Sequence, residues 1–149
     1  MKKYFPLLFL FVFAAPAICQ EIKISKKLLP KVITDGLKME YPNARISGAT
    51  REITKGDTLY EVFMRDSHTQ RTVTMHPNGI PEEIEESMTI DQLPSTVTDA
   101  ITKQYPKGKI MRLEMIMRGP VMTYEVQIKD RKKKVEVEYG MDGSIIPAK

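Results

Sequence analysis

The chain has 149 residues, of which 42% are hydrophobic, with 23 basic side chains, 19 acidic side chains and one cysteine. This length fits one domain that is large enough to bury a core without disulfide bonds. The net charge of +4 at pH 7 is too small to favour a nucleic-acid partner.

The N-terminus predicts an export signal. Two lysines precede an apolar stretch that is too short to be relied on as a membrane span. Because Ala17 and Cys19 are small, we expect cleavage after Cys19, which removes residues 1–19 and leaves residues 20–28 as an N-terminal segment. The mature protein is then periplasmic or secreted, with no membrane span. The alternative is a lipoprotein anchored at Cys19, although Ile18 stands where a small residue normally precedes a lipidated cysteine.

Two amphipathic helices are predicted from apolar residues spaced four apart. In each case a Leu-Pro pair opens the pattern and a Tyr-Pro pair closes it. Proline suits the first helical turn, and the residue before a proline avoids helical geometry. The two apolar stripes are Leu29, Ile33, Leu37, Tyr41 and Leu93, Val97, Ile101, Tyr105.

Alternation of apolar and polar residues follows each helix and predicts three antiparallel strands joined by short turns. A short fourth strand is expected at residues 80–84 and again at residues 144–146. Met111, Met115 and Met117 share the parity of Leu113, so we expect them on the buried face. Copper binding by these thioethers is the alternative interpretation, but a flexible core accounts for the parity more simply.

The second helix-and-strand pattern repeats the first with a shift of 64 residues. Tyr60-Glu61-Val62 becomes Tyr124-Glu125-Val126, and Gly79 becomes Gly143. Such self-similarity indicates a duplicated unit. We predict one repeat at residues 29–92 and a second at residues 93–149, forming one compact body because the connection between them is too short for a flexible linker.

Charge is distributed unevenly between the two repeats. The first is acidic, with a cluster formed by Glu82, Glu83, Glu85 and Glu86, and the second is basic, with a cluster from Arg131 to Lys134. These clusters are either solvated turns and edges or a dipolar surface that orients a partner.

No residues assemble into a recognisable catalytic or metal-binding motif. His68 and His76 lack a cysteine or carboxylate at metal-ligand spacing, and we expect both in exposed turns. Nucleophile elbows and phosphate loops are absent from the sequence. We therefore expect a protein that is not an enzyme and has no cofactor and no metal site.

Apolar residues among charges on the predicted solvent face indicate a surface that binds a protein partner. Phe63 has the parity of Glu61 and Arg65, and Ile116 has the parity of Arg112 and Glu114. Polar residues of the same face would form the rim. The candidate partner-binding residues are Phe63, Ile116, Arg112, Gln127, Glu136 and Glu138.

The recurring Leu-Pro helix, the Tyr-Pro stop, the hairpin with Tyr-Glu-Val and the closing Asn-Gly or Asp-Gly turn resemble the PepSY-like family of exported bacterial proteins. The resemblance covers nearly all of the mature chain. It implies an α+β fold of two tandem helix-plus-meander repeats, with the helices packed on one face of an antiparallel sheet and the other face open. It also implies a shape similar to the beta-lactamase inhibitory protein, and no catalytic residue.

These observations together predict an exported, non-enzymatic protein-binding module that inhibits or regulates an extracytoplasmic hydrolase. Its partner would be another extracytoplasmic protein. The alternative is an envelope accessory protein that binds a small ligand or a metal. Fold analogy by itself does not transfer the inhibitory function.

Overall fold

The computed structural model describes residues 20–54 and 56–147. The predicted export signal and the cleavage or lipidation site at Cys19 lie outside the described residues.

Two helices and nine strands make up the described chain, and the strands form a single antiparallel sheet in sequence order. This architecture confirms the predicted α+β class with an antiparallel sheet. Short 3₁₀ turns at Lys26–Leu28 and Ile90–Gln92 precede the helices. The elements are β1 (Gln20–Ile24), α1 (Lys31–Glu40), β2 (Arg45–Thr54), β3 (Asp57–Arg65), β4 (Gln70–Met75), β5 (Pro81–Ser87), α2 (Ser95–Gln104), β6 (Lys109–Arg118), β7 (Val121–Asp130), β8 (Lys133–Gly140) and β9 (Ile145–Ile146).

Both helices begin after a proline and end before a Tyr-Pro pair, as their sequences predict. Pro30 and Pro94 are the N-cap residues. At the other end Tyr41 (φ −125°, ψ 67°) and Tyr105 (φ −126°, ψ 64°) leave helical geometry in almost the same conformation. The proline that follows each tyrosine disfavours a further helical residue.

The strand β1 was not predicted, although Ile22 and Ile24 alternate with charged residues in the way a half-buried strand requires. It pairs along its whole length with β2. The strand β5 is longer than expected, because its second half pairs with β6 and joins the first half of the sheet to the second.

Two hydrophobic clusters hold the helices against the sheet. One combines apolar residues of α1 with buried residues of β3 and β4, and the other combines α2 with β6, β7 and β8. Ile84 packs against the first cluster and pairs directly with Met117, and the next pair two residues along joins Glu86 to Met115 of the second cluster. Since side chains of directly paired residues lie on the same side of a sheet, both clusters occupy one side, here called the helix side.

A β-bulge between Ile110 and Arg112 shifts the register of β6. An extra residue in a strand disrupts the alternation of side chains, and Met111 is accordingly 49% exposed. The expectation that Met111 lies on the buried face is therefore wrong, while Met115 and Met117 are half-buried.

Arg71 is a charged residue at a core position of β4, and only 9% of it is exposed. Its Nε forms an ion pair with Glu86 Oε1, and its guanidinium carbon lies 4.0 Å from the centre of the Tyr41 ring. Val135 occupies the equivalent position of the second repeat. A paired carboxylate and an aromatic face thus accommodate a charge where the other half of the chain has an aliphatic side chain.

Candidate binding surface

The side chains that point away from the helices form the second side of the sheet, here called the open face. Along β7, Thr123, Glu125, Gln127 and Lys129 lie on it, and they alternate with the buried residues Tyr124, Val126 and Ile128. In the described part of the chain both helices belong to clusters on the other side. The open face is thus the broad surface on which a partner would meet strands alone.

Direct pairing arranges the residues of β6, β7 and β8 in rows across the open face. One row consists of Glu114, Glu125 and Glu138. The adjacent row consists of Arg112, Gln127 and Glu136. Two residues along a strand separate these rows by about 7 Å, so the structure brings together the four predicted polar residues Arg112, Gln127, Glu136 and Glu138.

Phe63 belongs to a different row, which runs across the middle of the sheet through Thr72 and Glu85 to Ile116. Three strand spacings separate Phe63 from Ile116, a distance of about 14 Å. Phe63 is half-buried on the open face, and Gly48 lies opposite it, where an added Cβ would stand 3.4 Å from the ring. The two apolar residues therefore share a row but do not form a contiguous patch.

Ile116 is only 1% exposed, so the expectation that it is an exposed anchor is wrong. Its direct neighbours across the strands are Glu85 and Thr123, and Glu114 and Arg118 flank it along β6 on the same face. The aliphatic stems of such long charged side chains cover apolar surface while their charged ends remain in contact with water. Alternation predicts the face of a residue, but it does not predict this covering.

Arg118 connects three strands of the open face. Its Nε forms an ion pair with Glu83 Oε2 of β5, and its Nη1 lies 2.6 Å from Glu138 Oε1 of β8. The hydroxyl of Thr123 donates a hydrogen bond of 2.5 Å to the same oxygen of Glu138. These contacts fix the positions of two carboxylates before any partner is bound.

The remaining carboxylates of the open face repel one another. Burial raises the pKa of Glu85 to about 7, and the charges of Glu114, Glu83 and Glu125 raise it further within that shift. Burial also raises the pKa of Glu125, with added repulsion from Glu136 and Glu114. Arg112 offsets part of this charge, because its Nη2 donates a 2.6 Å hydrogen bond to Glu114 Oε1. The surface therefore carries more negative charge than its own cations neutralise.

The predicted acidic cluster of β5 is divided between the two sides of the sheet. Glu83 and Glu85 pair with Thr74 and Thr72 and lie on the open face, whereas Glu86 lies on the helix side against Arg71. Sequence reasoning did not include Glu83, Glu85, Glu114 and Glu125 among the site residues. The shared parity of these glutamates in adjacent strands was the signal that could have found them.

No group of three or more His, Cys, Asp or Glu side chains suited to a metal ion occurs in residues 20–54 and 56–147. His68 is exposed in the turn after β3. His76, expected in an exposed turn, is half-buried, and its Nε2 lies 3.5 Å from Glu82 Oε2. Among the described residues, no helix combines the length and apolar character that crossing a membrane requires.

A cleft of about 580 Å³ on the helix side is the feature that would suit a small ligand. It lies where β5 meets β6, and its lining includes Glu86, Gln92, Met115 and Tyr124. The ends of the lining segment come from the turn after β3 and from the 3₁₀ turn before α2. This cleft is on the opposite side of the sheet from the predicted partner-binding residues.

Solved structures with the same fold come from Bacteroides. A DUF2874 family protein of Bacteroides uniformis is 18% identical with a TM-score of 0.66, and the match covers 79% of this chain and 86% of that one. A protein of Bacteroides eggerthii described as "putative periplasmic" is 16% identical over the same shares, also with a TM-score of 0.66. A BLIP-like protein of Bacteroides fragilis is 23% identical with a TM-score of 0.61, covering 79% and 83% of the two chains. At these identities the likeness shows the fold alone.

A comparison with curated proteins gives no match. The sequence profile of one family matches the chain in two regions, residues 17–71 and residues 58–147, which together cover most of its length. The profile is described as "Putative beta-lactamase-inhibitor-like, PepSY-like". On the strength of this match the chain belongs to the PepSY-like family.

Proposed function

We propose that this protein is an exported, non-enzymatic binding module that inhibits or regulates an extracytoplasmic hydrolase, and that it binds this partner with the open face of its sheet. The observation that carries the proposal is the crowding of half-buried carboxylates on that face, where Glu85 reaches a pKa of about 7. The names of the BLIP-like and periplasmic neighbours support both the binding role and the compartment.

A partner that presents lysine or arginine side chains would relieve the repulsion on this surface. Cations placed among Glu85, Glu114 and Glu125 would favour the charged forms of these carboxylates, so binding would lower the pKa of Glu85 and release protons near pH 7. Glu83 and Glu138 are already held by Arg118, which lowers the ordering cost of association. Phe63 would supply apolar contact at the other end of the same face.

We also propose that the two halves, residues 29–92 and residues 93–149, are tandem copies of one unit. The bulges after Ile46 and Ile110 lie 64 residues apart, as do the helix-ending tyrosines. Each half contains one helix followed by four strands. In this proposal the first half contributes Phe63 to the binding surface and the second half contributes most of the charged rows.

The test begins with capture of a partner by the exported protein from an envelope extract, followed by titration of the purified partner against variants. Phe63→Ala and Glu125→Lys each change one open-face residue, and we expect each to weaken binding at least tenfold, as a central interface residue does. The matched control is Asp99→Asn on the exposed side of α2, which should leave the affinity unchanged. Proton release measured during the titration at pH 7 provides a second readout.

Two results would contradict the proposal. One is a partner that binds the Phe63→Ala and Glu125→Lys proteins as tightly as the unchanged protein. The other is loss of affinity on changing residues of the helix-side cleft, such as Gln92→Ala, which would favour the small-ligand alternative.

A further inference from the structure

A second charged surface lies at one edge of the sheet, where β2, β4, β6 and β8 begin. Lys109 pairs directly with Lys129, and Lys129 pairs with Lys134, so three lysines form a row across β6, β7 and β8. The equivalent row of the first half, 64 residues earlier, pairs Arg45 with Arg65. Like charges placed directly opposite one another destabilise a sheet, yet the arrangement occurs in both halves.

These five side chains are exposed, and no ion pair involving them is found within the described residues. Two carboxylates lie at the same edge. Asp66 accepts hydrogen bonds from the backbone of its own turn and also lies within ion-pair distance of Arg71, and Asp130 is paired in register with Lys133. The positive charge of the rows is therefore largely uncompensated by the protein itself.

Further cations surround the two rows without lying in line with them. Lys26 lines the same shallow cavity as Arg45. Gly108 follows Lys107 and abuts Ile128 near the end of β7. The turn between β7 and β8 projects beyond the sheet and includes three exposed cations, Arg131, Lys132 and Lys133. We call the whole set the basic edge: Lys26, Arg45, Arg65, Lys107, Lys109, Lys129, Arg131, Lys132, Lys133 and Lys134.

We infer that the basic edge docks the protein on an anionic lipid surface. From β2 to β8 the edge spans six strand spacings, or about 29 Å, and its charges lie in two rows and several loops. A plane of phosphate headgroups can approach all of these groups at once, whereas a linear polyanion would follow a single row. Most of the cations are lysines, which act as mobile point charges and suit many diffuse contacts with a surface.

This orientation leaves the proposed partner-binding surface free. The glutamate row of the open face is about 14 Å from the lysine row along the strands, and the strands would stand on the membrane with their open face at the side. The inference goes beyond the proposed function and does not depend on it, because it concerns a different set of residues and a different ligand.

The experiment measures sedimentation of the exported protein with vesicles of phosphatidylcholine alone or mixed with phosphatidylglycerol. We expect binding that requires phosphatidylglycerol and weakens as salt is added, because the attraction is electrostatic. The variant Lys109→Gln/Lys129→Gln should lose at least tenfold in partitioning. Its matched control, Lys23→Gln/Lys31→Gln, removes the same charge: Lys23 lies halfway along the open face, opposite Thr50, and Lys31 lies in the first turn of α1 beside Val32, which contacts Gly79 at the far edge.

Thermal melting distinguishes lost binding from lost folding. Because the substitutions remove like-charge repulsion, Lys109→Gln/Lys129→Gln should melt at the same temperature as the unchanged protein or higher. Binding that is indifferent to phosphatidylglycerol, or an equal loss in the control variant, would overturn the inference. So would selective release by inorganic phosphate at an ionic strength where chloride has no effect, or binding to short duplex DNA without binding to vesicles.

Discussion

Two buried or half-buried charges on neighbouring strands are accommodated in different ways. Arg71 on the helix side has a carboxylate partner and an aromatic ring beside it. Glu85 on the open face lies among other glutamates, and its pKa is raised to about 7. The first arrangement offsets the cost of burying a charge within the fold, and the second leaves a cost that only protonation or a bound cation removes.

Glu85 makes stability dependent on pH. Its folded-state pKa of about 7 lies above the ordinary value of 4.5, so the folded protein holds this proton at pH values where the unfolded chain has lost it. Stability therefore falls as pH rises from about 4.5 to about 7. We expect Glu85→Gln to stabilise the protein more at pH 8 than at pH 5, by roughly 1–2 kcal/mol after allowance for solvent screening.

Urea unfolding at pH 5 and pH 8 measures this difference. Asp99→Asn on the exposed side of α2 is the control and should shift stability equally at both pH values. An equal effect of Glu85→Gln at the two pH values would show that repulsion among the open-face carboxylates is not significant in the folded protein.

The sequence predicts residue positions better than residue exposure. Parity correctly separates Phe63 and Glu125 from Val62 and Val126, because alternation follows directly from strand geometry. It does not predict the burial of Ile116, which depends on how long side chains from two strands lie over it. It also does not predict the exposure of Met111, because the bulge that changes its direction is a feature of pairing between strands.

At the scale of elements, hairpin tips hold the helix N-termini. The tip between β8 and β9 touches the first turn of α2, where Thr96 Oγ1 donates a 2.6 Å hydrogen bond to the Met141 carbonyl. Gly143 adopts φ +80°, and a Cβ there would stand 2.5 Å from the Thr96 carbonyl oxygen. In the first half the corresponding Gly79 meets only the side chain of Val32, at 3.1 Å.

We expect Gly143→Ala to destabilise the protein by about 3 kcal/mol, because it combines a left-handed backbone with a clash against main-chain atoms. Gly119→Ala is the matched control: Gly119 has φ +57° and nothing within 4 Å of an added Cβ, so it should lose only about 1 kcal/mol. Chemical denaturation of the two variants compares these values. Equal losses would mean that the contact with α2 contributes little to stability.

The helices and most strands were predictable, since their signals are local. Apolar spacing together with Leu-Pro and Tyr-Pro pairs defines the helices, and Asn-Gly or Asp-Gly marks the turns. The length of β5 could not be predicted from its own residues, because it extends only as far as β6 offers hydrogen-bond partners. For the same reason the sequence did not reveal that the lysine and glutamate rows lie side by side across three strands.

At the scale of the whole molecule, one sheet carries two separate hydrophobic clusters. Four residue pairs between β5 and β6, from Ile84–Met117 to Ser87–Glu114, connect the halves. If this junction fails, both strands become unpaired edges and the cleft-lining residues beside Glu86 and Met115 lose their neighbours. Unfolding of one half would therefore remove stabilising contacts from the other, which favours a single cooperative unit.

Val62 and Val126 test this cooperativity, because they occupy equivalent positions 64 residues apart and neither is exposed to solvent. Each belongs to a different cluster, and truncation to alanine should cost each about 2 kcal/mol. We expect scanning calorimetry to show one transition for the unchanged protein, lowered as a whole by Val62→Ala and by Val126→Ala to a similar extent. If each substitution instead moved only part of the heat absorption and left the rest at its original temperature, the two clusters would unfold independently, and the β5–β6 junction would connect the halves without coupling their stability.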